Sequence, residues 1–353
     1  SLHHRGPDGH GTFIGDDHKI GLGHTRLSII DLSDNSSQPM SYDNGRYHIT
    51  YNGEIYNFLD LKKELEQRGY KFKSTGDTEV ILASYKYWGE KCNLKFNGMW
   101  SFAIWDSKKK EVFISRDRFG VKPLYYMSNE KFFFFASELK SFMHLEKKNR
   151  PNFDNNYLIY LSQSFSNQSY LTSGNTFLKN VFELPPGHQL KINYNKNIKV
   201  EKWWSTLDHL EKPLKKYEDQ VDRFKEIFYD ACRIRMISDV ETSTSLSGGL
   251  DSSSIVHVIN SLKNVSKDNS SISYPHNTFI LDYKNEKNNE TDFAIAATEN
   301  LSLIKNIIEV DLNKVSPEDI IKIIYHQEDV NGDDGLGPWN IYKNIRKKKY
   351  KNF

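Results

Sequence analysis

Ser247-Gly248-Gly249-Leu250-Asp251-Ser252-Ser253 decides how this 353-residue chain is read. It follows a strand-like run ending at Leu246 and precedes a helical pattern from Ser252 to Leu262. That strand–turn–helix setting gives a glycine-rich turn its chemical meaning. Gly248 and Gly249 permit backbone angles closed to other residues and put no Cβ in the way of an approaching anion. The next helix turns unpaired N–H groups and the positive end of its dipole toward the same spot. The hydroxyls of Ser247, Ser252 and Ser253 add further donors. Asp251 would repel a phosphate directly, so its carboxylate makes sense as a Mg²⁺ ligand or an orienting group. The chain has no Gly-Lys-Ser/Thr, which excludes the phosphate loop of kinases and GTPases. A glycine turn with serine caps is the plainer reading of the same residues. The preceding run, Glu241-Thr242-Ser243-Thr244-Ser245, is hydroxyl-rich where a buried parallel strand is usually aliphatic, and its packing is an open question.

Outward from this loop, strands and helices alternate. Val221, Phe224, Ile227, Phe228 and Ala231 mark an amphipathic helix upstream. Downstream, a strand is predicted over Thr278 to Leu281, a helix around Asp292 to Leu301 and a strand over Ile307 to Val310. Such alternation argues for an α/β domain with a doubly wound parallel sheet. Residues 1–195 read differently, as short strand runs with turn signals between them, such as Tyr47-His48-Ile49-Thr50-Tyr51 and Phe102-Ala103-Ile104-Trp105. One helix carries Phe58, Leu61 and Leu65 on one face. A second, from Asp77 through Trp88, turns Val80, Ile81, Ala83 and Tyr87 inward. This half is expected to be an α+β layered domain. Residues 196–216, with Trp203-Trp204, read as a connector docked by its tryptophans, and 217–353 as the second domain.

Composition narrows the function. Lys and Arg number 48 against 46 Asp and Glu, so a net charge of +2 gives no general attraction to nucleic acid or an anionic membrane. Cys92 and Cys232 are the only cysteines, too few for a disulfide framework or a four-thiolate metal site. No apolar run reaches the roughly 18 residues of a membrane span. The polar opening Ser1-Leu2-His3-His4-Arg5 has no signal-peptide pattern. A cytosolic enzyme is expected, and the absence of an initiator Met suggests a fragment of a longer protein.

Several segments occur in a telling order. They are His4-Arg5-Gly6-Pro7-Asp8, Arg26-Leu27-Ser28-Ile29-Ile30-Asp31, Tyr51-Asn52-Gly53-Glu54-Ile55-Tyr56-Asn57 and Gly76-Asp77-Thr78-Glu79. Then come Arg116-Asp117-Arg118-Phe119-Gly120-Val121-Lys122-Pro123-Leu124-Tyr125, Ala136-Ser137-Glu138-Leu139-Lys140 and Leu184-Pro185-Pro186-Gly187-His188. Together they resemble the class II, N-terminal-nucleophile glutamine amidotransferase domain of glutamine-hydrolysing asparagine synthetases. The Ser247–Ser253 loop resembles the PP-loop of their ATP-pyrophosphatase domain, which has an adenine nucleotide α-hydrolase-like fold.

The resemblance implies roles that the residue types suit. Arg26 would pair the α-carboxylate of glutamine through two parallel hydrogen bonds, and Asp77 would take its α-ammonium. Asn52 and Gly53 would form the oxyanion hole, with backbone around Leu27, Ile29 and Glu54 lining the pocket. Taken alone, Asn52-Gly53 reads as an ordinary hairpin turn, and Arg26 and Asp77 read as a surface ion pair. Leu246 and Leu281 would line an adenine pocket at the carboxyl ends of the strands. Ser247, Gly248, Gly249, Asp251, Ser252 and Ser253 would hold ATP's pyrophosphate, with Mg²⁺ at Asp251. The implied substrates are glutamine, aspartate and ATP, with no nucleic-acid or membrane partner and with a homodimer left open. Arg116, Asp117 and Arg118 read as pairing within a structural turn. His3, His4 and His24 form no metal-ligand set.

Two family features are missing. The nucleophile is an N-terminal cysteine, but Ser1 stands next to His4-Arg5-Gly6-Pro7-Asp8, which in the family comes well after that residue. Cys92 and Cys232 read as packed, inert thiols. A second pyrophosphate motif of the Gly-x-Gly-x-Asp-Glu type does not occur before Phe353. The acidic run Gln327 to Asp334 and the basic run Lys343 to Lys351 read as solvated. A related enzyme acting on another carboxylate, a tRNA-modifying PP-loop enzyme and a non-catalytic remnant are the rival readings. The glutaminase-like half and the near-neutral charge speak against the tRNA enzyme.

Overall fold

Alternation of apolar and polar side chains drives the first 211 residues into antiparallel sheet. In the computed structural model β1 (Gly9–Ile14) and β2 (Gly21–Arg26) pair with each other. β3 (Met40–Tyr42), β4 (Tyr47–Ile55), β5 (Gly98–Asp106) and β6 (Glu111–Arg116) follow. β7 (Tyr125–Ser128), β8 (Phe133–Ala136) and β9 (Val181–Glu183) make a three-stranded sheet in the order β8-β7-β9. β10 (His188–Asn193) and β11 (Ile198–Lys202) then return to complete a six-stranded sheet, β11-β10-β6-β5-β4-β3. The structure describes residues 2–15, 18–157, 174–195, 197–262, 276–284, 286, 289–328 and 335–347. They fall into two compact units, Ser1–Glu211 and Lys212–Phe353.

The central strand β5 is buried on both faces, which explains its run of Trp100, Phe102, Ala103, Ile104 and Trp105. One face receives α1 (Phe58–Gln67) and α2 (Asp77–Trp88), where Tyr85 stacks on Phe113 with ring centroids 5.2 Å apart. On the other face Ala103, Trp105, Val112 and Ile114 pack with Leu22, Leu124, Leu184 and Leu190. The unit is therefore layered α+β. In α2 it is Tyr85 that turns inward, while the expected Tyr87 is exposed. The segment expected to open a connector at 196 instead adds β11 to the edge of the sheet, and its tryptophans dock as expected: Trp203 stacks on Trp100 at 5.6 Å.

The second unit opens with α3 (Tyr217–Arg235) and continues β12 (Ser243–Ser245), α4 (Leu250–Leu262), β13 (His276–Tyr283), α5 (Thr291–Ala297) and β14 (Leu303–Val310). α6 (Pro317–Gln327) and α7 (Leu336–Lys347) complete it. The three strands are parallel in the order β12-β13-β14, each reached through a helix. Leu246, Val256, Ile280 and Ala294 pack on one face of this sheet, and Phe279, Ile308, Val310, Ile341 and Ile345 on the other. The hydroxyl-rich strand is accommodated by pairing: Thr244 lies in register with Thr278, and their hydroxyls are 3.2 Å apart. The expected inward face of α3 is only partly covered: Val221, Phe228 and Ala231 are half-buried. Phe224 is 66 % and Ile227 53 % exposed, and full burial begins only at Cys232 and Ile234. Residues 329–334 of the acidic run and 348–351 of the basic run lie outside the described residues.

Candidate functional site

Asn52 and Gly53 are not in a turn. They lie inside β4, in register with Ser101 and Trp100 of β5, so the hairpin reading of Asn-Gly fails here. A Cβ on Gly53 would sit 2.1 Å from the Met99 carbonyl oxygen and 2.7 Å from the Trp100 Cα. Only glycine lets the two strands approach this closely at that point.

The direction of the Gly53 N–H follows from its neighbours. Asp117 donates its N–H to the Trp100 carbonyl at 2.9 Å, and its carboxylate accepts the Trp100 N–H at 3.2 Å. Trp100 thus spends its backbone groups on the β6 side, and its partner Gly53 must point away from β5. Every second residue points the same way. The Tyr51 N–H goes to the Gln38 side-chain oxygen at 2.7 Å, and the Ile55 N–H goes to Asp77 Oδ2 at 2.9 Å. Between these two occupied donors stands that of Gly53. Beside it, the Asn52 side-chain Nδ2 is buried and has no hydrogen-bond partner among the described residues. An unspent buried donor such as Asn52 Nδ2 is costly to keep, and with the neighbouring Gly53 N–H, which points away from β5, it suits a developing oxyanion.

Charged groups surround this edge. Asp77 begins α2, is buried, and also accepts the Tyr51 hydroxyl at 2.8 Å. Burial raises its carboxyl above the ordinary range, against the pull of those hydrogen bonds. Glu54 is pushed up to about 7 by burial and by the charge of Asp77, opposed by Lys122. Arg26, at the end of β2, gives one N–H to the Ser33 carbonyl at 2.9 Å and another to that of Asp31. This leaves the rest of its five-donor fork unspent. The loop holding it is tied down by Asp31. Asp31 accepts from the Ser33 N–H and hydroxyl at 3.0 and 2.5 Å and from the Thr75 N–H at 2.8 Å. Burial raises the Asp31 carboxyl, but these bonds outweigh it and bring it down to about 2. Leu27 is exposed beside this loop and Ile29 is half-buried in it.

Arg116 and Arg118 do not pair with Asp117 as expected; the turn is held through its backbone instead. Asp117 accepts four backbone N–H groups, from Trp100, Phe119, Val121 and Lys122, at 3.0–3.2 Å. Arg116 caps the carbonyls of Lys122, Gly120 and Leu184 at 2.5–2.8 Å. Arg118 lies over the Trp204 ring, 4.4 Å from its centroid. Gln38, whose side chain closes the edge of β4 at Tyr51, is the functional candidate that sequence reading passed over. No motif or spacing singles it out.

In the second unit, the loop between β12 and α4 closes on itself. The Ser247 and Ser252 hydroxyls are 3.0 Å apart, and the Gly249 N–H reaches Ser247 Oγ at 3.3 Å. Gly248 has φ +82° and packs so tightly that a Cβ would lie 2.6 Å from the Ala294 nitrogen. Ser253 Oγ is buried without a partner among the described residues, while Asp251 is exposed. Leu246 and Leu281 are not brought together. Leu246 packs with Ile280, and Leu281 with the cluster on the opposite face. Cys92 and Cys232 are buried, and burial raises both thiols, which fits inert packing. Among the described residues no three His, Cys, Asp or Glu could hold a metal together, and no helix is long and apolar enough to cross a membrane.

The model of the glutamine amidotransferase domain matches residues 1–204, and that of asparagine synthase matches residues 223–352. The chain belongs to the glutamine-hydrolysing asparagine synthetase family. Within that family it is similar to asparagine synthetase [glutamine-hydrolyzing] 1 of Bacillus subtilis, with 35 % identity over 340 residues, 95 % of this chain and 50 % of the relative. Asparagine synthetase [glutamine-hydrolyzing] 3 of the same organism is 37 % identical over 261 residues, 73 % of this chain and 41 % of the relative. Amidase chry2 of Gibberella zeae is 33 % identical over 261 residues, 73 % of this chain and 37 % of that protein. The chain spans about half the length of the curated relatives that match it over most of its own length. As in the sequence reading, an N-terminal-nucleophile-type amidotransferase domain precedes a PP-loop domain in this synthetase-family chain.

Proposed function

We propose that the complete protein amidates aspartate to asparagine, taking ammonia from glutamine and activating the β-carboxylate with ATP as β-aspartyl-AMP. The observation that carries the first half is the pair of unspent donors, Asn52 Nδ2 and the Gly53 N–H, on the open edge of β4. A thiol nucleophile at the mature N-terminus, implied by the family resemblance, would attack the glutamine side-chain amide. The oxyanion would be received by these two donors, which are already oriented and need no rearrangement as charge develops. Arg26 would take the α-carboxylate on its remaining donors, and Asp77 with Glu54 would face the α-ammonium.

For the second half, the Ser247–Ser253 turn offers ATP's phosphates backbone N–H groups at the start of α4 and the partnerless Ser253 hydroxyl. A Mg²⁺ ion bound with the nucleotide would neutralise pyrophosphate charge. Asp251 fits as its protein ligand, since Mg²⁺ is commonly held by one or two carboxylates plus phosphate oxygens and water. Leu246 supports an adenine pocket only through its backbone, because its side chain belongs to the core. A cytosolic setting follows from this choice of substrates, and a homodimer remains compatible with it.

Two substitutions in the complete protein test the reading. Asp251→Asn should abolish aspartate-dependent pyrophosphate release and leave glutamine hydrolysis intact. Asn52→Ala should slow glutamine hydrolysis by about 10²–10³-fold and spare synthesis from added ammonia. Loss of both activities by either change would overturn the assignment of two separate sites.

A further inference from the structure

β3 runs antiparallel on the outer edge of β4, pairing Met40 with Ile49, Ser41 with His48 and Tyr42 with Tyr47. Continued in that register, the strand would set Gln38 opposite Tyr51 and Ser36 opposite Gly53. The Ser36 carbonyl would then take the Gly53 N–H, and the hole would be lost to an ordinary ladder bond. The chain does not continue that way. Asp34–Ser36 forms a turn of 3-10 helix, with the Ser36 N–H directed to the Ser33 carbonyl at 3.4 Å. The Gln38 carbonyl turns instead to β1, where a Cβ on Gly11 would collide with it.

The Gln38 side chain fills the place that its backbone vacates. Its Oε1 accepts the Tyr51 N–H at 2.7 Å, and its Nε2 reaches Thr78 Oγ1, in the first turn of α2, at 3.4 Å. On the far side of Gly53, Asp77 of the same turn accepts the Ile55 N–H at 2.9 Å and the Tyr51 hydroxyl at 2.8 Å. Two side chains tied to the start of α2 thus close the edge of β4 at positions 51 and 55, and Gly53 keeps its donor between them. The two closures differ in charge. That of Asp77 is met by the substrate's α-ammonium group in the reading above. An anion at the Tyr51 end, about 7 Å along the strand from the Gly53 nitrogen, would have no such counter-charge and would oppose a developing oxyanion.

We propose that Gln38 is a positioning residue of the oxyanion hole: its uncharged side chain stands in for the missing strand at Tyr51, anchoring β4 while leaving the Gly53 N–H to the substrate. This rests on the glutamine-hydrolysis reading above and adds to it a residue that does not touch substrate. A side chain at 38 without an acceptor strands the Tyr51 N–H and loosens β4 beside the hole. A carboxylate there holds Tyr51 but adds charge on the wrong side. Because negative charge develops on the amide oxygen only as the amide is attacked, the effect belongs to kcat and not to glutamine binding.

The test uses the complete protein, with glutamine hydrolysis and synthesis from added ammonia measured side by side. Gln38→Met should lower kcat for glutamine hydrolysis by about ten- to a hundredfold, with KM for glutamine within about twofold and ammonia-dependent synthesis intact. Its melting temperature should fall as well, because the Tyr51 N–H is left without an acceptor. Gln38→Glu should restore the melting temperature and still leave kcat about tenfold down. If Gln38 were merely a structural acceptor, Gln38→Glu would recover kcat along with the melting temperature, and that result overturns the proposal. So does a Gln38→Met enzyme with wild-type kcat, or one whose kcat falls only together with ammonia-dependent synthesis. Asn52→Ala, run in parallel, separates this role from the reading beneath it. If Asn52→Ala is slow and Gln38→Met is not, the positioning role alone fails. If Asn52→Ala hydrolyses glutamine at the wild-type rate, the hole is misassigned and the role of Gln38 falls with it.

Discussion

In the N-terminal unit one buried carboxylate, Asp117, organises four backbone N–H groups, whereas in the C-terminal unit the Ser247–Ser253 loop pairs the hydroxyls of Ser247 and Ser252 with each other and leaves Asp251 in solvent. The first unit reaches its site through long-range ties: Asp77 to Tyr51 and Ile55, Asp31 to Thr75, Trp203 to Arg116. The second relies on local geometry, a positive φ at Gly248 and a helix beginning at Leu250. Buried polar networks are expensive to disturb, while a self-contained exposed loop can change its chemistry at little cost in stability. The two halves should therefore respond very differently to substitution.

The largest effect should come from Asp117→Ala, which strands four N–H groups. A loss of about 4 kcal/mol or more is expected, read by urea denaturation with tryptophan fluorescence. A loss below about 1 kcal/mol would erase the contrast. Next, Gly53→Ala should cost about 2–3 kcal/mol, because its Cβ collides with main chain that cannot yield without parting β4 from β5.

Asp31→Asn follows, at about 2 kcal/mol near neutral pH. The sign is set by a folded carboxyl brought down to about 2, below its ordinary 3.8. The stabilisation is complete above that ordinary value and disappears as pH falls through 4 toward 2. Thermal melts of both proteins should converge over that window. The smallest effects belong to the second unit. Asp251→Asn and Ile227→Ser should each shift stability by less than about 0.5 kcal/mol. A marked loss at Ile227, which is exposed on α3, would show that this face is packed in solution and narrow the difference between the units.

Much of the site was legible because its residues are adjacent in sequence. Asn52-Gly53-Glu54 and the loop from Ser247 to Ser253 announce themselves. Local signals misled where tertiary pairing overrode them. Asn-Gly is a hairpin signal, yet here β5 claims it as mid-strand. Leu246 and Leu281 looked equivalent at the ends of two strands. In register, however, Leu246 stands level with Ile280, so Leu281 must face the other way. Helix periodicity points to Tyr87 and does not reveal that Tyr85 is the ring that finds Phe113. Sequence pattern passes over Gln38 because its partners, Tyr51 and Thr78, meet it only in the fold.

The stacked Trp100 and Trp203 have one more consequence. Trp100 sits opposite Gly53, its indole N–H fixed on Ser115 at 3.0 Å. Trp203 belongs to the segment after β11, and its own indole donates to the Arg116 carbonyl at 3.2 Å. Two indoles this close, 21° from coplanar, couple their excited states. The protein thus carries a native optical reporter: near-ultraviolet circular dichroism should register any release of that segment, with no label attached.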